Sequence, residues 1–281
     1  MLTLFSKRVA LRLCQMVATL AVFSSCAATS LKGVHETVHC NVAFSHIKGR
    51  DLCLDLYVPE TRTPPPVVIW FHGGGWKYGD KRSHLFVREL TRYGFAVASV
   101  QYRLTWSAKW PAQRDDCLAA IDWMRDHGRE YGIDPRRIGL SGSSAGGHLA
   151  ALAGVLERVP RVKAVVAMYP PTDMTALSAH YRDKRLFNLI VQLFGAPYEK
   201  TARQAKESSP VNFVTSHAPP FLLIHGDWDI VVPAEQSREF DRKLREAGVE
   251  SHLLILHGRL HGFPLDESML RRVAFFFKEH L

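Results

Sequence analysis

The chain has 281 residues, 47% of them hydrophobic and 22% charged, with a formal net charge of +9. That length and composition suit one globular domain with a sizeable core, and exclude a disordered or fibrous chain. The basic residues are scattered, as at Arg136, Arg137, Lys163, Arg203, Arg242 and Lys243. They form neither the basic stripe nor the module of a nucleic-acid binder, so no nucleic-acid partner is expected and the excess reads as solvated surface.

The N-terminus reads as a targeting segment. Lys7, Arg8 and Arg12 open it, an apolar run from Leu13 to Phe23 follows, and Ser24, Ser25, Cys26, Ala27 and Ala28 close it. The run is too short to span a bilayer comfortably and has the layout of a signal peptide, assigned to residues 1–25. Without that segment, 33 basic residues face 27 acidic ones. Phe23-Ser24-Ser25-Cys26 looks like a bacterial lipobox, although Phe stands where Leu dominates. Cleavage there would make Cys26 a lipidated first residue and a membrane attachment; ordinary cleavage after Ala27 or Ala28 would free the chain. The expected location is therefore outside the cytoplasm, as a periplasmic, membrane-anchored or secreted protein. Cleavage before Cys26 leaves Cys40, Cys53 and Cys117 besides it, enough for one bridge among the three. Cys40–Cys53 is the candidate pair, since Cys117 sits in a helical pattern and reads as a small buried hydrophobe.

Residues 36–281 read as one domain. From about 36 to 58 the pattern alternates like two strands about a turn at Lys48-Gly49, with Leu52, Leu54 and Leu56 on one face. Within it, His35-Glu36-Thr37-Val38-His39 matches the zinc-protease pattern H-E-x-x-H. That chemistry needs both histidines on one helical face, whereas β-branched Thr37 and Val38 favour a strand, so no metal is expected. After Thr63-Pro64-Pro65-Pro66 comes Val67 to Phe71, continuous and apolar like a strand buried on both faces. Phe95 to Val100, Ile138 to Leu140, Val162 to Met168, Phe221 to Ile224 and His252 to Leu256 repeat the type. Helical patterns occupy roughly 81–93, 112–128, 145–157, 234–247 and 267–280. Strands alternating with helices imply a mostly parallel sheet with helices on both faces. The stretch from about 173 to 215 interrupts the rhythm and reads as a lid-like insertion.

Gly142-Ser143-Ser144-Ala145-Gly146 follows one strand and opens a helix, the strand–turn–helix setting that makes G-x-S-x-G a nucleophile elbow. The elbow would place the Ser144 hydroxyl at a helix N-terminus, where free N–H groups favour negative charge. His72-Gly73-Gly74-Gly75-Trp76 follows another strand. Its bare glycine backbone suits an oxyanion hole built from Gly74 and Gly75 with Ala145, and no lysine follows to make it a phosphate cradle. An acid and a histidine should come next in chain order. Asp227 and Asp229 compete after one strand, and Asp229, one step deeper before Val232-Pro233, is the better acid. His257 and His261 compete after the last strand, and His261 lies further along the loop that must return to Ser144.

These pieces resemble the carboxylesterase branch of the α/β hydrolases, near the hormone-sensitive-lipase-like and bacterial feruloyl-esterase-like families. His72 to Trp76, Tyr102-Arg103-Leu104, Trp110 to Gln113 with Asp116, Gly142 to His148, Asp229 with Val232-Pro233, and His261-Gly262-Phe263 carry the resemblance. It spans roughly residues 40 to 280 and implies the α/β-hydrolase fold, with Asp229 and His261 as acid and base. Ser143 stands where the lipase-like branch usually has an acid, which leans towards the smaller esterases. Arg103 and Asp116 read as structural, and Trp76, Tyr78, Trp228 and Phe263 as candidates to line a substrate pocket. The expectation is a cofactor-free serine carboxylester hydrolase of short acyl esters, acetyl or feruloyl esters of carbohydrates among them. Amide hydrolysis is the nearest alternative, and a binding protein on the same scaffold a remoter one.

Overall fold

The computed structural model describes residues 33–83, 86–156, 162–181 and 189–281. Eight strands form one sheet: β1 (Glu36–Ile47), β2 (Arg50–Pro59), β3 (Val67–Phe71), β4 (Ala96–Val100), β5 (Ile138–Ser143), β6 (Val162–Met168), β7 (Phe221–Gly226) and β8 (Ser251–Leu256). Their order across the sheet is β1-β2-β4-β3-β5-β6-β7-β8. β1 and β2 pair antiparallel, as do β2 and β4; from β4 to β8 every pairing is parallel.

The apolar runs follow from burial on two faces. Along β3, Val67, Ile69 and Phe71 enter one core and Val68 and Trp70 the other. On the first face lie α1 (Ala112–His127), α2 (Ala145–Leu156) and α6 (Glu235–Glu246), represented in that core by Ile121, Leu149 and Phe240. On the second lies α7 (Glu267–His280), which contributes Leu270, Val273 and Phe277, beside a short 3₁₀ turn at Val87–Tyr93. The insertion supplies α3 (Met174–Tyr181), α4 (Leu189–Phe194) and α5 (Tyr198–Glu207), all with residues in the first core.

The chain runs from β3 out to β4 and then returns past β3 to β5, so the connections diverge between β3 and β5. In open α/β sheets that switch point, at the carboxyl ends of the strands, is where a crevice for ligand opens. Register sharpens it: Phe71 pairs with Gly142, Ser143 with Met168, and Gly226 with Leu256. The loops after β3, β5, β7 and β8 therefore leave the sheet along one rim.

Several expectations are corrected. Among the described residues of 81–93 no α-helix forms: Asp80 turns the chain by accepting the Arg82 N–H at 2.7 Å and the Ser83 N–H at 2.9 Å, and a 3₁₀ turn follows at Val87–Tyr93. The candidate Cys40–Cys53 bridge is absent: Cys40 is disulfide-bonded while Cys53 is a free thiol. Cys53 faces Ala43 across the hairpin, three residues along β1 from Cys40. The partner of Cys40 lies outside the described residues, since Cys117 is also free and buried. The H-E-x-x-H segment, by contrast, is as expected: β1 begins at Glu36, and the Glu36 carboxylate pairs with Arg88. The signal-peptide and Cys26 assignments fall outside the described residues.

Candidate active site

Ser144 sits between β5 and α2 with a φ of 52°, the sharp turn that the flanking glycines permit. A Cβ on Gly146 would lie 1.9 Å from the Phe71 carbonyl oxygen, and one on Gly142 2.3 Å from the Gly146 oxygen. No side chain fits at either position, which is why both ends of the elbow are glycine. The turn is pinned by the Ser144 N–H donating to Met168 O at 2.9 Å and the His148 N–H donating to Ser144 O at 2.9 Å.

His261, on the loop after β8, has its Nε2 2.8 Å from the Ser144 Oγ and its Nδ1 2.6 Å from the Asp229 Oδ2. The carboxylate can only accept, so Nδ1 carries the proton and Nε2 is free to accept from the serine hydroxyl. The Asp229 side chain is fully buried, and its Oδ1 accepts the N–H groups of Val231 and Val232, each at 2.8 Å. Burial works against its charge, but hydrogen bonds from His225, His261 and Val232 and the charge interaction with His261 hold the carboxyl at about 2. Such an acid stays ionised throughout the neutral range and keeps the imidazole in one tautomer.

The competing pair turns away. His257 Nδ1 donates to Asp227 Oδ2 at 2.7 Å, and its side chain is 90% exposed. Asp227 also caps the loop by accepting the Gly258 N–H at 2.7 Å.

The glycine loop abuts the elbow: a Cβ on Gly73 would stand 3.6 Å from the Ser144 Cβ. Gly74 and Gly75 have φ of 115° and 61°, and among the described residues their N–H groups meet no protein acceptor. Ala145 opens α2, where the first N–H groups have no intrahelical acceptor. The Asp229–His261–Ser144 arrangement can deprotonate a hydroxyl, and the neighbouring backbone donors suit an oxyanion.

Of the four aromatic candidates for a pocket lining, two are core residues. Trp76 is buried, its indole N–H donating to His148 Nδ1 at 3.2 Å. Phe263 is buried edge-on against Tyr169, with ring centroids 4.9 Å apart. Their apolar rings are used in packing beneath the loops. Tyr78 and Trp228 are exposed, at 58% and 60%. Buried Asp116 pairs with half-buried Arg103 at 2.7 Å and also accepts the Arg103 N–H at 2.8 Å, fixing the segment after β4 to α1.

Three supporting groups escaped the sequence reading. Tyr169 lies edge-on beneath His261 at 4.8 Å. Burial first, then the nearby Asp229, pushes its phenol up to about 12, against an opposing hydrogen bond with Ser143, so it stays neutral. His148, one helical turn after Ser144, bonds Trp76 through Nδ1 and donates from Nε2 to the Ser208 carbonyl at 2.6 Å. It thereby ties the glycine loop to the insertion. His225 backs Asp229. The signal for His148 was its i+4 spacing from Ser144; nothing in the sequence marked Tyr169.

The profile of the family described as BD-FAE matches residues 54–244. Esterase LipC of Mycobacterium tuberculosis is 33% identical over 217 residues, covering 72% of this chain and 54% of its own. The chain spans about half the length of this and two other curated esterase relatives it matches. A truncated carbohydrate esterase from gut microbiota superposes with a TM-score of 0.77 at 29% identity, covering 86% of this chain and 95% of that one. Carboxyl esterase 2 of Tuber melanosporum gives a TM-score of 0.74 at 25% identity, covering 91% and 89%. The fold is that of the α/β hydrolases.

Proposed function

The chain belongs to the BD-FAE family, and from that premise we propose that it is a serine carboxylesterase acting through Ser144, His261 and Asp229. One observation carries the reading: an unbroken hydrogen-bonded line from Asp229 through His261 to Ser144, at 2.6 and 2.8 Å, beside unengaged backbone donors. His261 takes the serine proton as Oγ attacks the ester carbonyl. Gly74, Gly75 and Ala145 hold the resulting oxyanion, each donor contributing about 3 kcal/mol at the transition state. His261 then protonates the departing alcohol, and the acyl-enzyme is released by water that the same imidazole activates.

For substrate we propose short acyl esters on carbohydrates. The structural likeness to a carbohydrate esterase and the modest size of the insertion support this. Tyr78 and Trp228 offer exposed rings on the loops after β3 and β7, suited to stacking on a sugar face. Export is part of the proposal, and the basic start, apolar run and small residues of segment 1–28 support it. Lipid attachment at Cys26 is tested by palmitate labelling of the wild type against Cys26→Ala.

The test of function is hydrolysis of p-nitrophenyl esters from acetate to long chains, then of acetylated and feruloylated oligosaccharides and a matched formamide. Preferential turnover of short esters and sugar esters supports the reading. Faster turnover of the formamide overturns it in favour of an amidase.

A further inference from the structure

Behind Asp229 stands a second imidazole that the proposed chemistry leaves unused. His225, near the end of β7, is fully buried. Its Nε2 lies 2.9 Å from the Val232 carbonyl oxygen and 3.3 Å from the Asp229 Oδ2, and its Nδ1 lies 2.7 Å from the Ser237 Oγ. Both neighbours of Nε2 are acceptors, so Nε2 bears the ring proton. On the other side of the ring, Nδ1 meets the Ser237 hydroxyl.

The N–H is directed mainly at Val232, and that residue is the key to its effect. The Val232 N–H donates to Asp229 Oδ1 at 2.8 Å while its carbonyl accepts from His225. The acid turn is thus held from both sides of one peptide residue. The same imidazole touches Oδ2, the oxygen that receives His261. Ser237 belongs to the first turn of α6, and its neighbour Gln236 accepts the N–H groups of Thr172 and Asp173 at 2.8 and 2.7 Å. The acid is therefore referenced to β7 through His225 and to the post-β6 loop through α6.

We infer that His225 is a positioning residue for Asp229, setting the carboxylate so that Oδ2 meets His261. The inference rests on the esterase reading, because the orientation of Asp229 matters to rate only if His261 is the base. It concerns kcat rather than binding: the ring is buried behind the acid and reaches no substrate.

The test compares His225→Leu, His225→Gln and Ser237→Ala with the wild type on p-nitrophenyl acetate, rates being expressed per serine titrated with a fluorophosphonate. Titration removes any difference in folded protein. His225→Leu should lower kcat about ten- to hundred-fold, the range for one hydrogen bond to a charged group or its anchor, with KM within about two-fold. Gln, whose amide N–H₂ can donate to the same oxygens, should restore most of the loss. Ser237→Ala keeps the ring and should cost a few-fold; it also decides the matter if the Leu variant fails to fold. Wild-type kcat per serine in the Leu and Ser237→Ala variants overturns the inference, as does Gln performing no better than Leu. A wild type that neither turns over ester nor takes the label brings down the esterase reading itself, and this inference with it.

Discussion

Asp227 and His257 hydrogen-bond to each other at 2.7 Å, an acid–imidazole pair beside the one that reaches Ser144. The aspartates are two positions apart and the histidines four, yet Asp229 accepts two backbone N–H groups where Asp227 accepts that of Gly258, and only His261 approaches the serine. Chemically the pairs are equivalent. What distinguishes them is burial: the side chain of His257 is 90% exposed and that of His261 15%.

This relationship predicts contrasting substitutions. Asp229→Asn should lower kcat on p-nitrophenyl acetate by about a thousand-fold or more, because the amide no longer fixes the imidazole tautomer. Asp227→Asn should stay within a few-fold of wild type. Equal losses in the two variants would contradict the assignment of the acid.

The glycine loop and elbow predict different responses to a single methyl group. Gly146→Ala would set a Cβ 1.9 Å from a backbone oxygen and should not yield folded protein. Gly75→Ala meets the flexible end of Leu189 at 2.6 Å, at a φ of 61° that costs about 1–2 kcal/mol. It should fold, with a slightly lower melting temperature and a reduced kcat. Calorimetry and turnover of the two variants check both statements.

How much of this was legible in the sequence depends on the kind of constraint. The elbow and the triple-glycine loop announce themselves because close backbone approach forbids side chains there. The apolar strands do so because burial on two faces removes the alternation. Residues 81–93 misled because an Asp80 side chain turned the chain where periodicity suggested a helix. Trp76 and Phe263 stayed ambiguous because an aromatic ring near a site looks the same in sequence whether it meets ligand or packs, as these do, against His148 and Tyr169. Cys40 and Cys53 were mismatched because pairing of cysteines by elimination ignores hairpin register, which sets Cys53 opposite Ala43. Positioning groups such as His225 are visible only when the loops are assembled.

Buried neutral histidines predict acid sensitivity. Burial, opposed by backbone hydrogen bonds to Gly73 and Ser208, lowers His72 and His148 from 6.5 to about 4. Between those values the unfolded chain binds protons that the folded chain excludes, so stability is complete above pH 6.5 and falls towards pH 4. Each group contributes a slope of up to about 1.4 kcal/mol per pH unit. Urea unfolding at pH 7, 6 and 5 should show the decline, and His148→Gln should make it shallower. A stability independent of pH over that range would contradict the burial of these rings.

The thiols should react in a fixed order. Burial, and then Asp51, raises the partly exposed Cys53, so iodoacetamide should label it slowly in the native protein. Cys117, fully buried, should react only after unfolding. Mass spectrometry of labelled peptides reads both.

The central claim is that Ser144 is the nucleophile, and covalent labelling tests it most directly. A fluorophosphonate should add once per chain, on the peptide containing Ser144, with esterase activity falling in proportion and no addition in Ser144→Ala. Label on another residue, or undiminished ester hydrolysis by Ser144→Ala, would contradict the account.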